Sequence, residues 1–183
     1  MVTTRLYTSD DLYAMGSDAP FELIQGELIR VSPSAFKWNL VLGNMYGELR
    51  NFVRPRKLGY VSVAEAGFLV ETDPDTVVSP DVAYISRARI SNRVPDRGDL
   101  PVVPDLIVEV VSPTDERRDI RTKQAVYERV AVPLVWWIDP MRETATIHIP
   151  GLDIVEIDRD GYFDGEHVLP GFRVAYSDLF EEF

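Results

Sequence analysis

The stretch that decides the fold is PDLIVEVVS, residues 104–112. Its aliphatic and β-branched residues predict a β-strand. Side chains alternate between the two faces of a strand. One face carries Leu106, Val108 and Val110, and the other carries Asp105, Ile107, Glu109 and Val111. The neighbours of Glu109 along the chain and on its own face are apolar, so we expect its carboxylate to be at least partly desolvated.

A carboxylate in such a position needs a compensating partner. An unpaired buried charge is costly, so Glu109 requires a cation, a hydrogen-bond network or a raised pKa. The alternatives that we keep open are that Glu109 lies at a sheet edge or pairs with an arginine. On residue type alone, the functional and structural interpretations carry about equal weight.

The segments around this strand indicate helices on a mixed sheet. Two apolar runs flank Gln25-Gly26 and predict a hairpin, and five short runs predict further strands. Thr8 followed by Asp11 resembles a capping box and predicts a helix over residues 9–15. Apolar spacing predicts helices over 36–53, stopping before Pro55, and over 114–130. The order predicts one α/β or α+β domain over residues 1–183, with additional antiparallel strands at the hairpin and the C-terminus. The further strand segments are YVSVAE, GFLVE, PDVAYIS, PLVWWIDP and ETATIHI, with another strand around LDIVEID.

Lys123 stands out on the third predicted helix. At about 100° per residue it falls beside Ile120, Tyr127 and Val130, whereas the arginines take the other side. This predicts that Lys123 faces the sheet. A lysine that extends its ammonium to water, or one that pairs with Asp119 one turn earlier, is the alternative.

Three more acids are candidates for a shared site. Asp81 follows Pro80 and opens a predicted strand, although a Pro-Asp turn at a strand start is common. Glu22 and Glu27 flank the hairpin turn, and either side chain could reach the site. Exposed hairpin glutamates are also common, so both interpretations stay open.

Composition restricts the chemistry. The chain has 183 residues, no cysteine, two histidines and a net charge of −11. Disulfides, thiolate zinc sites and cysteine nucleophiles are therefore excluded. The negative charge argues against nucleic-acid binding, because phosphate contacts need a basic surface, but the basic residues are clustered. We expect a soluble, cytoplasmic protein, since no run reaches the roughly 18–20 apolar residues of a membrane span and no secretion signal is visible.

Carboxylates and a lysine together suit one reaction. Two carboxylates and a backbone carbonyl can hold Mg²⁺ with several waters. The metal polarises a phosphoryl oxygen and lowers the pKa of a bound water. A lysine beside the phosphate can position that water and stabilise developing charge. Asp, Glu and Lys therefore suffice for phosphodiester hydrolysis.

The order of motifs resembles a known family. Pro80-Asp81 followed by Glu109 on an apolar strand resembles the PD-(D/E)xK nuclease superfamily. The wider arrangement resembles the Uma-two family of restriction-endonuclease-like proteins, from about Thr8 to Phe180. The motifs are FELIQGELIRVSP, WNLVLGNMYGEL, SPDVAYIS, PDLIVEVVSPTD, DIRTKQAVYE and VWWIDP, in this order.

The resemblance implies a restriction-endonuclease-like core and a site. It implies metal-binding carboxylates at Asp81 and Glu109, with Glu27 as our first choice for a further acid and Glu22 as the second. The position two residues after Glu109 is a valine, so the lysine of the motif is expected on the following helix, at Lys123. It further implies Mg²⁺, for which Mn²⁺ can substitute, DNA as substrate and a homodimer.

Two further positions follow from the resemblance and the charge pattern. Arg117 and Arg121, in a basic cluster on the third predicted helix, are candidates for substrate binding. Trp38 stands where similar sequences often carry a histidine.

Three functions compete. A Mg²⁺-dependent DNA endonuclease comes first. A nuclease-like fold that has lost activity and serves as a binding or assembly module comes second, motivated by Trp38 and the net charge. A metal-dependent hydrolase of a small phosphorylated substrate comes third. A closed pocket would favour the third, and an open basic groove would favour DNA.

Overall fold

A computed structural model describes residues 5–16, 19–31, 35–64, 66–90, 96–113 and 117–180. The helices are α1 (Ser9–Ala14), α2 (Phe36–Arg56) and α3 (Arg117–Arg129), with a 3-10 helix at Ser177–Phe180. The strands are β1 (Phe21–Ile24), β2 (Glu27–Arg30), β3 (Gly59–Val63), β4 (Phe68–Glu71), β5 (Thr76–Val78), β6 (Val82–Ser86), β7 (Leu106–Val110), β8 (Leu134–Asp139), β9 (Thr144–His148), β10 (Val155–Asp158), β11 (Tyr162–Asp164) and β12 (Arg173–Ala175).

The strands form three sheets. The largest has the order β10-β9-β8-β7-β6-β3, in which only the β7–β8 pair is parallel. A four-stranded antiparallel sheet has the order β2-β1-β5-β4, and β11 pairs with β12. The predicted fold class, a mixed sheet flanked by helices with additional antiparallel strands, is confirmed.

The central strands of the six-stranded sheet are buried on both faces. Strand β7 lies inside this sheet, and all five of its residues are buried. The face with Leu106, Val108 and Val110 packs against α2 and the C-terminal segments. The opposite face, with Ile107, packs against α3 and the four-stranded sheet. The predicted alternation of β7 is therefore confirmed.

Local sequence explains the element ends. Thr8 and Asp11 form the predicted capping box of α1. Gln25 (φ 52°) and Gly26 (φ 77°) form a tight turn with two left-handed residues, which matches the twist of the hairpin strands.

Two boundaries differ from the sequence prediction. The second helix continues through Pro55 to Arg56, so its predicted end before Pro55 was wrong. A proline in the last turn removes only one N–H bond, and the left-handed Lys57 then ends the helix. The third helix is described from Arg117, and residues 114–116 of its predicted range lie outside the described residues. Strand β5 was not predicted.

Among the described residues, no helix is both long enough and apolar enough to cross a bilayer.

Candidate functional site

Asp81 lies beside Glu109 at one end of the central strands. Val82 pairs with Val108 across β6 and β7, so Asp81, immediately before β6, comes alongside Glu109. The Oδ2 atom of Asp81 accepts a hydrogen bond from the Val110 N–H at 2.7 Å. This bond fixes the aspartate to the edge of β7, so the sequence-predicted pair of acids is brought together.

The Glu109 carboxylate is buried and crowded by charge. Only 6% of the residue is exposed. Its Oε1 atom accepts a hydrogen bond from the Tyr127 hydroxyl at 2.5 Å and forms an ion pair with Lys123 Nζ at 2.8 Å. Burial raises its pKa to about 7, Lys123 opposes that rise, and Asp81 and Glu22 add to it. The predicted desolvation of Glu109 is confirmed.

Lys123 faces the sheet, as its helical position predicts. Its ammonium pairs with Glu109 and, at 3.2 Å, with Oε1 of Glu22. Burial alone would lower the pKa of Lys123, but the two carboxylates outweigh it and hold that pKa well above its ordinary value. Within the described part of the chain, the alternative ion pair with Asp119 is not formed.

Of the two hairpin glutamates, the structure brings Glu22 to Lys123 and Glu109, and not Glu27, which was our first choice. Glu22 is 2% exposed, and its Oε1 also accepts a hydrogen bond from the Ser79 N–H at 2.8 Å. Glu27 is exposed and has no ion pair within the described residues. The two share one face of the hairpin, because Glu22 pairs with Ile29 and Ile24 with Glu27. Glu27 nevertheless lies next to the turn, beyond the buried Ile24, whereas Glu22 lies farther along the strand, over the site.

These four side chains line one side of an open cleft of about 1180 Å³. The cleft is bordered by α1, the hairpin, β3 and α3. Its lining is largely apolar, and its charged members are unequal in sign. Among the described residues of the lining, two are basic and five acidic: Arg30 and Lys123, against Glu22, Asp81, Asp99, Glu109 and Asp119.

Arg117 and Arg121 lie away from this cleft. Both are exposed, and neither contributes to its lining. At about 100° per residue Arg121 points almost opposite to Lys123 on α3. Their role in substrate binding stays a prediction, which these positions do not favour.

Trp38 fastens the end of β7. Its indole N–H donates a hydrogen bond to the Val111 carbonyl oxygen at 2.7 Å. An indole can only donate, so this position serves here to hold the backbone immediately after the strand.

The hydrogen bond from the Tyr127 hydroxyl to Glu109 was not predicted from the sequence. Helical spacing placed Tyr127 on the inward face of α3 beside Lys123, but gave no partner for its hydroxyl. The hydroxyl and the ammonium both bind Oε1 of Glu109, which is the oxygen that they share.

The carboxylates of the site have the chemistry that binds a hard divalent cation. Their side chains would have to move to hold one. Carboxylate oxygens are the ligands that Mg²⁺ prefers. No three acidic or imidazole side chains among the described residues are grouped closely enough to hold a metal ion as they stand. Both contacts of Glu109 use Oε1, which leaves Oε2 on the same carboxylate for an incoming ion.

Both the sequence and the fold are similar to those of known proteins. A family with the description "Uma2: Putative restriction endonuclease" matches residues 7–177. A crystal structure of "a putative nuclease belonging to DUF820" from Anabaena variabilis superposes with a TM-score of 0.80 at 18% identity, over 94% of this chain and 97% of that chain. That likeness shows the fold. No curated protein matches the sequence.

Proposed function

The chain belongs to the Uma2 family, and on that premise we propose that it is a Mg²⁺-dependent endodeoxyribonuclease. The proposed reaction is hydrolysis of phosphodiester bonds. The residues that carry it out are Asp81, Glu109, Lys123 and Glu22. One observation carries the proposal: a buried glutamate, flanked by two other carboxylates and a lysine, opens onto a large cleft.

The crowding of acids supports a cation at this site. The pKa of Glu109 is raised to about 7 by burial and by its acidic neighbours, with Lys123 opposing the rise. A cation next to these carboxylates would favour their charged forms. Asp81, Glu109 and Glu22 are the residues that would hold Mg²⁺, or Mn²⁺ in its place. When bound, the ion supplies a Lewis acid and a water of lowered pKa.

Lys123 and Tyr127 would then act through their positions. The raised pKa of Lys123 keeps it charged at neutral pH, so it can hold a phosphate oxygen or a water and stabilise charge that develops on the phosphorane. Tyr127 holds the Oε1 side of Glu109. It therefore orients the carboxylate and needs no contact with substrate.

Cleavage of DNA tests the proposal. Purified protein is incubated with supercoiled plasmid and with a labelled oligonucleotide, with Mg²⁺, with Mn²⁺ and with chelator. We expect metal-dependent nicking that Glu109→Gln abolishes, because the amide cannot replace an anionic ligand. Glu27→Gln is the matched control, since it changes a glutamate of the same hairpin outside the cleft. Equal rates for wild type and Glu109→Gln would refute the chemistry.

A second candidate is a nuclease-like module without catalytic activity. The observation that favours it is that Lys123 already forms ion pairs with both Glu109 and Glu22. Trp38, whose indole binds the backbone immediately after β7, is consistent with it. This candidate predicts that Mg²⁺ and Mn²⁺ give no binding heat at millimolar concentration. A binding signal in wild type that Glu109→Gln removes would exclude it.

A hydrolase of small phosphorylated substrates is less favoured. Pockets for small ligands are typically about 300–1,000 Å³ and enclose most of the ligand. The cleft here is larger, about 1180 Å³, and open to solvent. Among the described residues its charged lining is mainly acidic, so it is also not the open basic groove that would favour DNA.

We also propose that the protein is a homodimer, as the family resemblance implies. The apolar face of α2 is used in its own core, through Val41, Met45 and Leu49. The edge strand β10 and the residues before it expose Ile154 and Val155. This edge is therefore the better interface. Light scattering of wild type and of Val155→Glu measures whether the mass falls from two chains to one.

A further inference from the structure

We propose that the cleft binds single-stranded DNA, with bases stacked on the side chains of Tyr60 and Tyr13. This inference rests on the proposed function, and it names the form of DNA that the same site accepts. The observations behind it are the position and exposure of two aromatic rings and the charge of the surrounding surface.

Tyr60 lies on the strand next to the one that Asp81 begins. It belongs to β3, the edge strand of the six-stranded sheet, and pairs with Ile85 of β6. Ile85 is four residues from Asp81, or about 13 Å along a strand at about 3.3 Å per residue. Stacked bases rise about 3.4 Å each. A base on Tyr60 is thus about four stacked nucleotides from the acids.

Both rings present free surface to the cleft. Tyr60 is 47% exposed, Tyr13 of α1 is 54% exposed, and both line the cleft. Among the described residues, no other ring and no guanidinium group covers either of them. Every base has a π-face, so such rings bind single strands with little dependence on sequence.

A third exposed tyrosine shows the contrast. Tyr162 is also 47% exposed but lies on β11, outside the cleft lining. The guanidinium of Arg173 lies over its ring, 4.1 Å from the centroid. One face of Tyr162 is therefore occupied by a protein cation, whereas no described ring or guanidinium lies over Tyr13 or Tyr60.

The charge of the cleft argues against duplex DNA. A duplex carries two phosphate backbones, and its binding depends on Lys and Arg contacts. Among the described residues, the cations of the cleft are Arg30 and Lys123, and Lys123 is already paired with Glu22 and Glu109. A single strand carries one phosphate backbone instead of two, and the stacking of its bases on aromatic rings needs no positive charge. The described charges of the cleft therefore oppose a single strand less than they oppose a duplex.

Binding of one sequence in two forms tests the inference. A short fluorescent oligonucleotide is titrated as single strand and as duplex, with Mg²⁺ and in the Glu109→Gln background so that it is not cut. We expect tighter binding of the single strand. Tyr60→Ala should weaken that binding by about tenfold or more, or about 1.4 kcal/mol. Tyr60→Phe, which keeps a stacking ring, should bind normally, and so should the matched control Tyr162→Ala. Tyr13→Ala should weaken binding in the same direction.

The outcomes separate this inference from the proposed nuclease. Tighter binding of duplex, no binding of either form, or equal affinities for Tyr60→Ala and Tyr162→Ala would overturn the inference. Metal-dependent cutting by wild type alongside any of those results leaves the nuclease intact. Ring-dependent binding of single strands without any cutting would instead uphold the binding surface and refute the nuclease.

Discussion

The two faces of the six-stranded sheet differ in what they bury. Toward α2, strand β7 presents Leu106, Val108 and Val110 to an apolar core. Toward α3, the same strand presents Ile107 and then Glu109, whose carboxylate is held by Lys123 and Tyr127. The face toward α2 stabilises the fold by excluding water. The face toward α3 holds the Glu109 carboxylate, whose charged form is destabilised by desolvation. The contrast separates residues that set stability from residues that serve chemistry.

The largest expected effect belongs to the apolar face. Leu106→Ala removes a fully buried side chain and leaves a cavity, so we expect the free energy of unfolding to fall by about 2–5 kcal/mol. Urea unfolding followed by fluorescence measures this loss. Nicking by the folded fraction should stay at the wild-type rate. A loss of unfolding free energy below about 1 kcal/mol would show that this face is less tightly packed than the burial of Leu106 indicates.

The other face predicts a dependence on pH. The pKa of Glu109 is about 7 in the folded protein against an ordinary 4.5, so folding takes up a proton between these values. The favourable contribution of the neutral acid is complete below pH 4.5 and is lost as the pH rises through about 7. Relative to Glu109→Gln, wild type should lose up to about 3 kcal/mol over this range.

Unfolding in chelator at several pH values measures that difference. Below pH 4.5 the two proteins should have similar stability, because both side chains are then neutral. The Gln variant should be the more stable one at pH 8 and inactive as a nuclease. A difference between the two proteins that does not change between pH 4.5 and 8 would contradict the buried, crowded carboxylate.

The smallest expected effect concerns the two hairpin glutamates. Glu22→Ala leaves the Ser79 N–H without its partner and Lys123 with one carboxylate, so we expect a loss of about 1 kcal/mol in unfolding free energy. Glu27→Ala should change it by less than about 0.5 kcal/mol, since Glu27 is exposed. Thermal unfolding of both variants measures the two changes in unfolding free energy. Equal effects would remove the distinction between the two positions.

Sequence reasoning reached the parts of the site that local periodicity defines. The alternation in residues 104–112 identified Glu109 as a carboxylate among apolar neighbours, and the structure buries it. Helical spacing identified Lys123 as inward-facing, and the structure pairs it with Glu109. Both predictions depend on a fixed geometric repeat within one element, so no knowledge of the neighbouring elements was needed.

Other features depend on how separate elements meet. Glu22 and Glu27 share one hairpin face, and nothing within the hairpin says which end covers α3. The bond between Tyr127 and Glu109 joins residues 18 positions apart. Strand β5 has only three residues and gains its identity from pairing with β1 and β4. The predicted helix end before Pro55 was too early, because the last helical turn tolerates a missing N–H.

By itself, the sequence predicted the class of fold, the central strand, the family and three of the four residues that the structure brings together in the candidate site. These follow from side-chain periodicity and from a motif order that spans most of the chain. Only the tertiary structure decided that Glu22 completes the cluster, that Tyr127 holds Glu109, and that the cleft is acidic and lined by tyrosines. The physical reason is that distances between elements are set by packing across the two sheets, which no local pattern records.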